Sequence, residues 1–234
     1  MRRLRLNGHG AARQRHPPFG RIGSHRHVAP YATLVLSGGY REAGESGRWT
    51  VEPGMVVVHA AGEAHADWFR DRTTELIDFE MRPRVAAGVY RCADADALAE
   101  SIFDGDGNTA GVVGFFAPVL GETDWPDLLA AALRADSALS IGGWAADHGL
   151  RPESVSRGFA QAYGVSPARY RLGVRIKGAV NSLTGGSAPL AEVAIANGFA
   201  DQPHMTRAVK TAIGSTPAQL RQVKSVQEMG REQL

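Results

Sequence analysis

A stretch of eight residues occurs twice in this chain, and no other feature narrows the possible folds as much. Gly164-Val165-Ser166-Pro167-Ala168-Arg169-Tyr170-Arg171 returns as Gly214-Ser215-Thr216-Pro217-Ala218-Gln219-Leu220-Arg221, an offset of 50 residues. Val155 and Arg157 return at the same offset as Met205 and Arg207. Upstream, Trp144 to Leu150 (WAADHGL) aligns with Val193 to Phe199 (VAIANGF) at an offset of 49, so a one-residue difference lies between Gly149 and Arg157. Self-similarity at a fixed period means two copies of one supersecondary unit.

Each copy reads as helix, tight turn, helix. The first helix carries small residues (Ala145 and Ala146; Ala194 and Ala196) that let a second helix cross closely. A glycine, Gly149 or Gly198, ends it in the manner of a left-handed cap. A new helix starts at Pro152-Glu153 or Asp201-Gln202-Pro203, where a proline costs no hydrogen bond, and runs to Gly164 or Gly214. This is the layout of a helix-turn-helix, whose second helix can enter a major groove. Ser166-Pro167 opens a longer helix to about Leu183 that joins the copies. A plain helical bundle would account for one copy. It does not account for two that agree at Gly, Arg and Gly-x-[Ser/Thr]-Pro.

The first part of the chain has a different texture. Tyr31–Leu36, Arg48–Val51, Met55–His59 and Thr74–Met81 are rich in β-branched and aromatic residues, with glycine turns between them. Strands every ten or so residues predict a sandwich or barrel. From Ala93 the helical period takes over, with apolar residues at three- and four-residue spacing over Asp94–Phe103 and Asp127–Leu133 and a break at Gly105-Asp106-Gly107-Asn108. The expected organisation is α+β with two domains: a basic arm over 1–19, lying on the barrel or disordered; a β domain over 20–91; a helical connector over 92–135, a candidate dimer contact; and an all-α domain over 136–234.

Composition closes off other classes. Hydrophobic residues are 44% and charged residues 21% of 234, ordinary for a folded chain. One cysteine, Cys92, cannot form an internal disulfide or a thiolate metal site. No apolar run approaches the roughly 18 residues of a membrane span, and the basic N-terminus has no apolar core of a secretory signal. A cytoplasmic protein without a membrane partner is expected. Residues 1–135 hold 15 Lys and Arg against 17 Asp and Glu; residues 136–234 hold 11 against 7. The helical part is therefore net basic, which suits a polyanionic partner.

The run Gly198-Phe199-Ala200-Asp201-Gln202-Pro203-His204-Met205-Thr206-Arg207, with Gly214-Ser215-Thr216-Pro217-Ala218-Gln219-Leu220-Arg221, resembles the signature of AraC/XylS-type transcription regulators. The resemblance covers about 136–223. Met205 and Val209 stand where that family often has phenylalanine, and are expected in the core; Pro203 stands where a small polar residue is usual. The resemblance implies two recognition helices in successive major grooves of double-stranded DNA, with RNA polymerase and a second copy of the chain as further partners. The outward positions are then Glu153, Ser156 and Arg157 in the first helix, and Gln202, Thr206 and Arg207 in the second. Arginine pairs bidentately with guanine and glutamine with adenine. Arg169, Arg171, Arg175 and Lys177 are expected at phosphates, or in no contact.

Six of the eight histidines lie in the first half. His25 and His27, two apart, point the same way on a strand. With Pro53-Gly54-Met55-Val56-Val57-Val58-His59-Ala60-Ala61-Gly62-Glu63-Ala64-His65 they are similar to the two motifs of cupins, small β-barrels that serve many AraC-type regulators as sensors. The resemblance maps the cupin metal ligands onto His25, His27 and His65. The glutamate position falls near Tyr31, and no acid lies between His27 and Tyr40, so the carboxylate is expected to be missing. Three neutral imidazoles can still hold a divalent transition metal. The expected ligand site is a cavity bearing His25, His27, Tyr31 and His65, with Val57 and Phe79 in its wall. The implied function is a DNA-binding regulator that senses a small molecule or metal, with no catalytic residue. A metal-dependent cupin dioxygenase or isomerase is the competing class, but it leaves the repeated helix pair unexplained.

Overall fold

The computed structural model describes residues 11–80, 86–104 and 116–222. Its first part is built of β1 (Ala11–His16), β2 (Arg21–Arg26), β3 (Tyr31–Ser37), β4 (Tyr40–Gly44), β5 (Arg48–Val51), β6 (Met55–His59), β7 (Ala64–Phe69), β8 (Thr74–Glu80) and β9 (Gly88–Cys92). Helix α1 (Ala95–Asp104) and strand β10 (Phe116–Pro118) complete it. Two antiparallel sheets result, one ordered β1-β8-β3-β6-β9-β10 and one ordered β2-β7-β4-β5.

The strand period of two explains the layers. Val35, Met55, Val57, Leu76 and Val89 of the larger sheet share one buried cluster with Tyr40, Trp49, Val51 and Phe69 of the smaller, so the sheets pack face to face. The alternate residues Ala32, Leu34, Val56, Val58, Ile77 and Phe79 form a second cluster on the outer face of the larger sheet, under Leu98 and Ile102 of α1. Each Val, Leu, Ile, Phe or Met side chain that passes fully out of water here contributes about 1.5–3 kcal/mol. Both faces of the larger sheet are thus covered, which is why its strands read as continuous apolar runs.

Three expectations change. The sheets do not close into a barrel; they form a double-sheet sandwich with separate edges. Phe79 does not line the interior, because it follows Asp78 in β8 and points to the α1 side. The arm expected over 1–19 contains β1, which pairs with β8 from Ala11↔Phe79 to His16↔Thr74. Gly105–Asn108, read as a chain break, lies outside the described residues.

The second part comprises α2 (Trp125–Ala135), α3 (Ile141–Asp147), α4 (Pro152–Tyr163), α5 (Pro167–Gly185), α6 (Leu190–Ala196), α7 (Gln202–Ile213) and a helical stretch over 217–222. The span expected as a helical connector therefore divides. Its β10 pairs with β9, whereas Leu129, Ala130 and Leu133 of α2 are buried with Trp144, Val155, Phe159 and Tyr170 in the core of the helical part. Gly158 lets α2 and α4 meet, since a Cβ there would lie 2.4 Å from the Trp125 ring.

The smaller sheet's outer face rests on these helices. Ala43 is buried among them, and the Tyr170 hydroxyl donates to the Gly44 carbonyl at 3.4 Å. The buried Arg48 reaches across with Nε 3.2 Å and Nη2 2.8 Å from the Asp127 carboxylate. Its Nη2 is also 2.6 Å from Asp124, and its Nη1 is 3.1 Å from Glu122.

Candidate functional site

The two helix pairs close with the same backbone bonds. Gly149 (φ 65°) and Gly198 (φ 75°) are both left-handed. Leu150 N–H donates to Ala145 O at 2.8 Å, and Phe199 N–H to Ala194 O at 3.0 Å. These satisfy carbonyls that a helix end would leave bare. Ser140 caps α3 through Gly143 N–H at 3.1 Å, Ser166 caps α5 through Arg169 N–H at 3.3 Å, and Asp201 caps α7 through His204 N–H at 2.6 Å. Gly164 (φ 72°) and Gly214 (φ 81°) end α4 and α7.

The repeat extends into the core. Trp144, Ala145, Val155, Phe159 and Tyr170 are buried in the first pair. Their counterparts Val193, Ala194, Met205, Val209 and Leu220 are buried in the second. Met205 and Val209, both 0% exposed, fill the core as the sequence predicts.

On the opposite faces, Glu153, Ser156 and Arg157 of α4 are exposed, as are Gln202 and Arg207 of α7; Thr206 is half-buried. The cations of α5 are placed differently from a simple phosphate-binding row. Arg171 donates to the Leu139 carbonyl at 3.0 Å and Arg175 to the Ser137 carbonyl at 2.6 Å, so both tie α5 to the segment before α3. Lys177 lies 3.4 Å from Glu63 in the sandwich. Arg169 is exposed.

The histidines converge. Ligand-capable atoms of His25, His27 and His65 lie within 4.8 Å of one another. His25 and His65 are backbone partners across β2 and β7, with rings 4.2 Å apart; His27 follows the end of β2. His25 Nδ1–H donates to the Gly23 carbonyl at 3.0 Å, which leaves its Nε2 as the lone-pair nitrogen. Tyr31 OH is 3.2 Å from His65 Nε2. Burial holds the His25 pKa down, the His65 pKa well down, and that of His59 at about 3. All three are neutral at pH 7, the form that ligates a metal. The buried Nδ1 of His65 has no hydrogen-bond partner. The donor set therefore fits a divalent transition metal.

The ligand group itself holds no carboxylate among the described residues, but β4 and β7 bring two acids to the histidines around it. Asp67 Oδ2 lies 3.9 Å from His65 Nε2, and Glu42 Oε2 lies 3.8 Å from His59 Nε2. Burial, then the charge of Asp78, pushes the Asp67 carboxyl up to about 8. Burial, then the charge of Asp67, pushes Glu42 well above the carboxylate range. Neutral acids beside neutral imidazoles are what a dry interior favours. The signal was present in the chain: Asp67 is two residues from His65, and period two puts both on one face.

A cavity of about 570 Å³ lies between the smaller sheet and the helices. His25, Arg26 and His65 lie on its sandwich side, and Tyr170, Ile176 and Arg207 on its helical side. Its place was not legible in the sequence, because α7 and β2 are more than 170 residues apart along the chain.

Residues 144–223 match the family described as a helix-turn-helix domain. No curated protein matches the chain. Among solved structures it is similar to the C-terminal domain of AraT, a response regulator from Geobacillus stearothermophilus, with 23% identity over 43% of this chain and 86% of that one and a TM-score of 0.41. It is similar to ToxT from Vibrio cholerae, solved with an unsaturated fatty acid bound, with 10% identity over 92% of this chain and 96% of that one and a TM-score of 0.43. It is also similar to a regulator with an AraC-type DNA-binding domain from Chromobacterium violaceum, with 24% identity over 41% and 88% and a TM-score of 0.39. The glycine-turned helix pairs and the family match over 144–223 together make the helical part of this chain a helix-turn-helix domain.

Proposed function

We propose that this chain is a sequence-specific, DNA-binding transcription regulator with two reading helices, α4 and α7, and a cupin-like sensor sandwich. The observation that carries this reading is the duplication itself. Arg157 and Arg207 stand at equivalent positions of two helices that both end at a left-handed glycine and bury equivalent positions, and both are exposed. Glu153, Ser156, Gln202 and Thr206 flank them. Two such helices on one face of a duplex should protect two patches about one turn, or roughly 10 bp, apart. Affinity should fall steeply with salt, as counterion release requires. Footprinting of the full chain on duplexes selected from a random pool tests this; one protected patch would remove the second reading helix.

The two arginines differ from the α5 cations in what they should do. Arg157→Ala and Arg207→Ala are each expected to cost about 1–3 kcal/mol and to relax preference at one base position. Arg171→Ala and Arg175→Ala, which lose a backbone tether, should lower stability before they change sequence preference. Binding measured on matched and single-substituted duplexes separates the two behaviours.

The sensor site of this reading is His25, His27, Tyr31 and His65. His25, His27 and His65 would hold a divalent metal, which supplies a Lewis-acidic site for an anionic effector. The chain's own contribution is three imidazoles, positioned by the β2–β7 pairing and the Gly23 carbonyl. His27→Ala and His65→Ala are expected to lower metal content in elemental analysis of protein purified without chelator, and to alter the effector response. Unchanged metal and response in both variants would leave the cluster as packing.

A further inference from the structure

The outer face of the smaller sheet carries a row of side chains that the sensor site does not use. Arg21 of β2 and Arg41 of β4 both stand opposite Trp68 of β7 in their ladders. Each guanidinium carbon lies 5.2 Å from the centre of the Trp68 ring. Thr50 of β5, exposed, continues the row opposite Arg41. A bulge makes the arrangement possible. The β2–β7 register shifts between Ile22 and His25, so one strand sends His25 to the histidine cluster and Arg21 to the other face.

Neither arginine is spent inside the chain. Among the described residues neither has an ion pair or a side-chain hydrogen bond, and the buried Nε of Arg41 has no partner. The acids that border this face are already matched. Glu52 lies 3.7 Å from Arg70, Glu122 and Asp124 lie 3.1 and 2.6 Å from Arg48, and Glu45 pairs with Arg26. Two guanidinium groups held beside one aromatic ring, with no counter-ion, form a site for oxyanions, because the planar fork matches a phosphate.

The row meets the helical part at the C-terminal end of α4. A Cβ on Gly164 would lie 3.1 Å from the Trp68 ring and 3.3 Å from Arg21 Nη2. Gly164 follows Arg157 by seven residues, about 10 Å along a helix axis. The major groove is about 8.5 Å deep, and a reading helix meets base edges with its N-terminal residues. With Glu153 and Arg157 at base edges, the end of α4 emerges at the level of the sugar–phosphate backbone and brings Arg21 and Arg41 with it.

We infer that Arg21 and Arg41 are a phosphate contact, by which the sandwich itself grips the duplex backbone beside the bases read by α4. The inference rests on α4 being a reading helix, and it gives the sensor part a direct share in DNA affinity.

The test uses the full chain and a duplex enriched by the wild type from a random pool. Arg21→Gln and Arg41→Gln should each bind it about five-fold more weakly at about 0.15 M salt, and should lower the slope of log affinity against log salt by about one. The loss should be equal on matched and single-substituted duplexes, unlike that of Arg157→Ala. Arg21→Lys and Arg41→Lys should keep the wild-type slope. So should Arg13→Gln, which removes the same charge from an edge of the larger sheet, where Arg13 pairs with Glu75. Ethylation of single phosphates gives a readout that impaired folding does not mimic. Interference at one or two phosphates beside the α4 patch should disappear in the glutamine variants. Wild-type slopes in both glutamine variants would overturn the contact and leave the DNA reading intact. Interference lost only at phosphates away from the α4 patch would do the same. A wild-type chain that binds no duplex would sink the DNA reading and this inference with it.

Discussion

Replacing Arg48 with alanine should lower the stability of the chain by about 3–5 kcal/mol, the cost of stranding a buried charge without its partner. The Arg48 side chain is 7% exposed and Asp127 10%. Asp127 also accepts from Tyr163 OH at 2.8 Å, so the pair joins β5, α2 and α4 at one point. Burial alone would raise the Asp127 pKa, but hydrogen bonds from Arg48, Asp124 and Tyr163 hold it below the usual 3.8. A carboxyl depressed in the folded state stabilises the fold above its unfolded pKa. That contribution is lost as pH falls below about 4 and through the folded value. Urea midpoints of the wild type should drop over this range, and those of Asp127→Asn should drop less. If Arg48→Ala unfolds at the wild-type midpoint at pH 7, the cross-domain ion pair does not support the fold.

Phe159→Ala should cost a similar amount, about 3–5 kcal/mol, by a different route. Phe159 is 0% exposed. It stacks on Tyr163 at 4.6 Å and meets Tyr170 edge-on at 5.3 Å. Its removal opens a cavity shared by α2, α4 and α5, so hydrogen exchange should speed up together in all three. The counterpart substitution in the second copy, Val209→Ala, removes less volume and should cost less. Exchange that rises in α4 and α5 while α2 stays protected would return α2 to the connector and contradict its place in the helical core.

The helical half was legible because its rules are local. A left-handed glycine, a capping Ser166 or Asp201, a proline in the first turn and a 50-residue self-match need only neighbours in sequence. Each produced the expected element within a residue or two. The same holds for β3, β5, β6 and β8. The shorter or more polar strands were harder to see. β1 (AARQRH) and β4 (YREAG) have little β-branched content, and they are strands because β8 and β7 offer them open ladder edges.

The sequence by itself determined the two textures of the chain, the duplicated helix pair and the arginines at matched positions. These follow from periods of 3.6 and 2 and from backbone preferences of single residues; the meeting of His25 with His65 followed from the cupin resemblance, not from any period. Only the tertiary structure decided that the sheets stay open as a sandwich, and that Glu42 of β4 stands behind the histidines. It alone decided that Phe79 faces α1, that α2 joins the helical core, and that Lys177 answers Glu63 rather than solvent. These outcomes depend on which surfaces remain uncovered once the elements have formed. Burial of apolar faces and pairing of buried charges act between residues that local patterning leaves unrelated, such as Arg48 and Asp127, 79 positions apart.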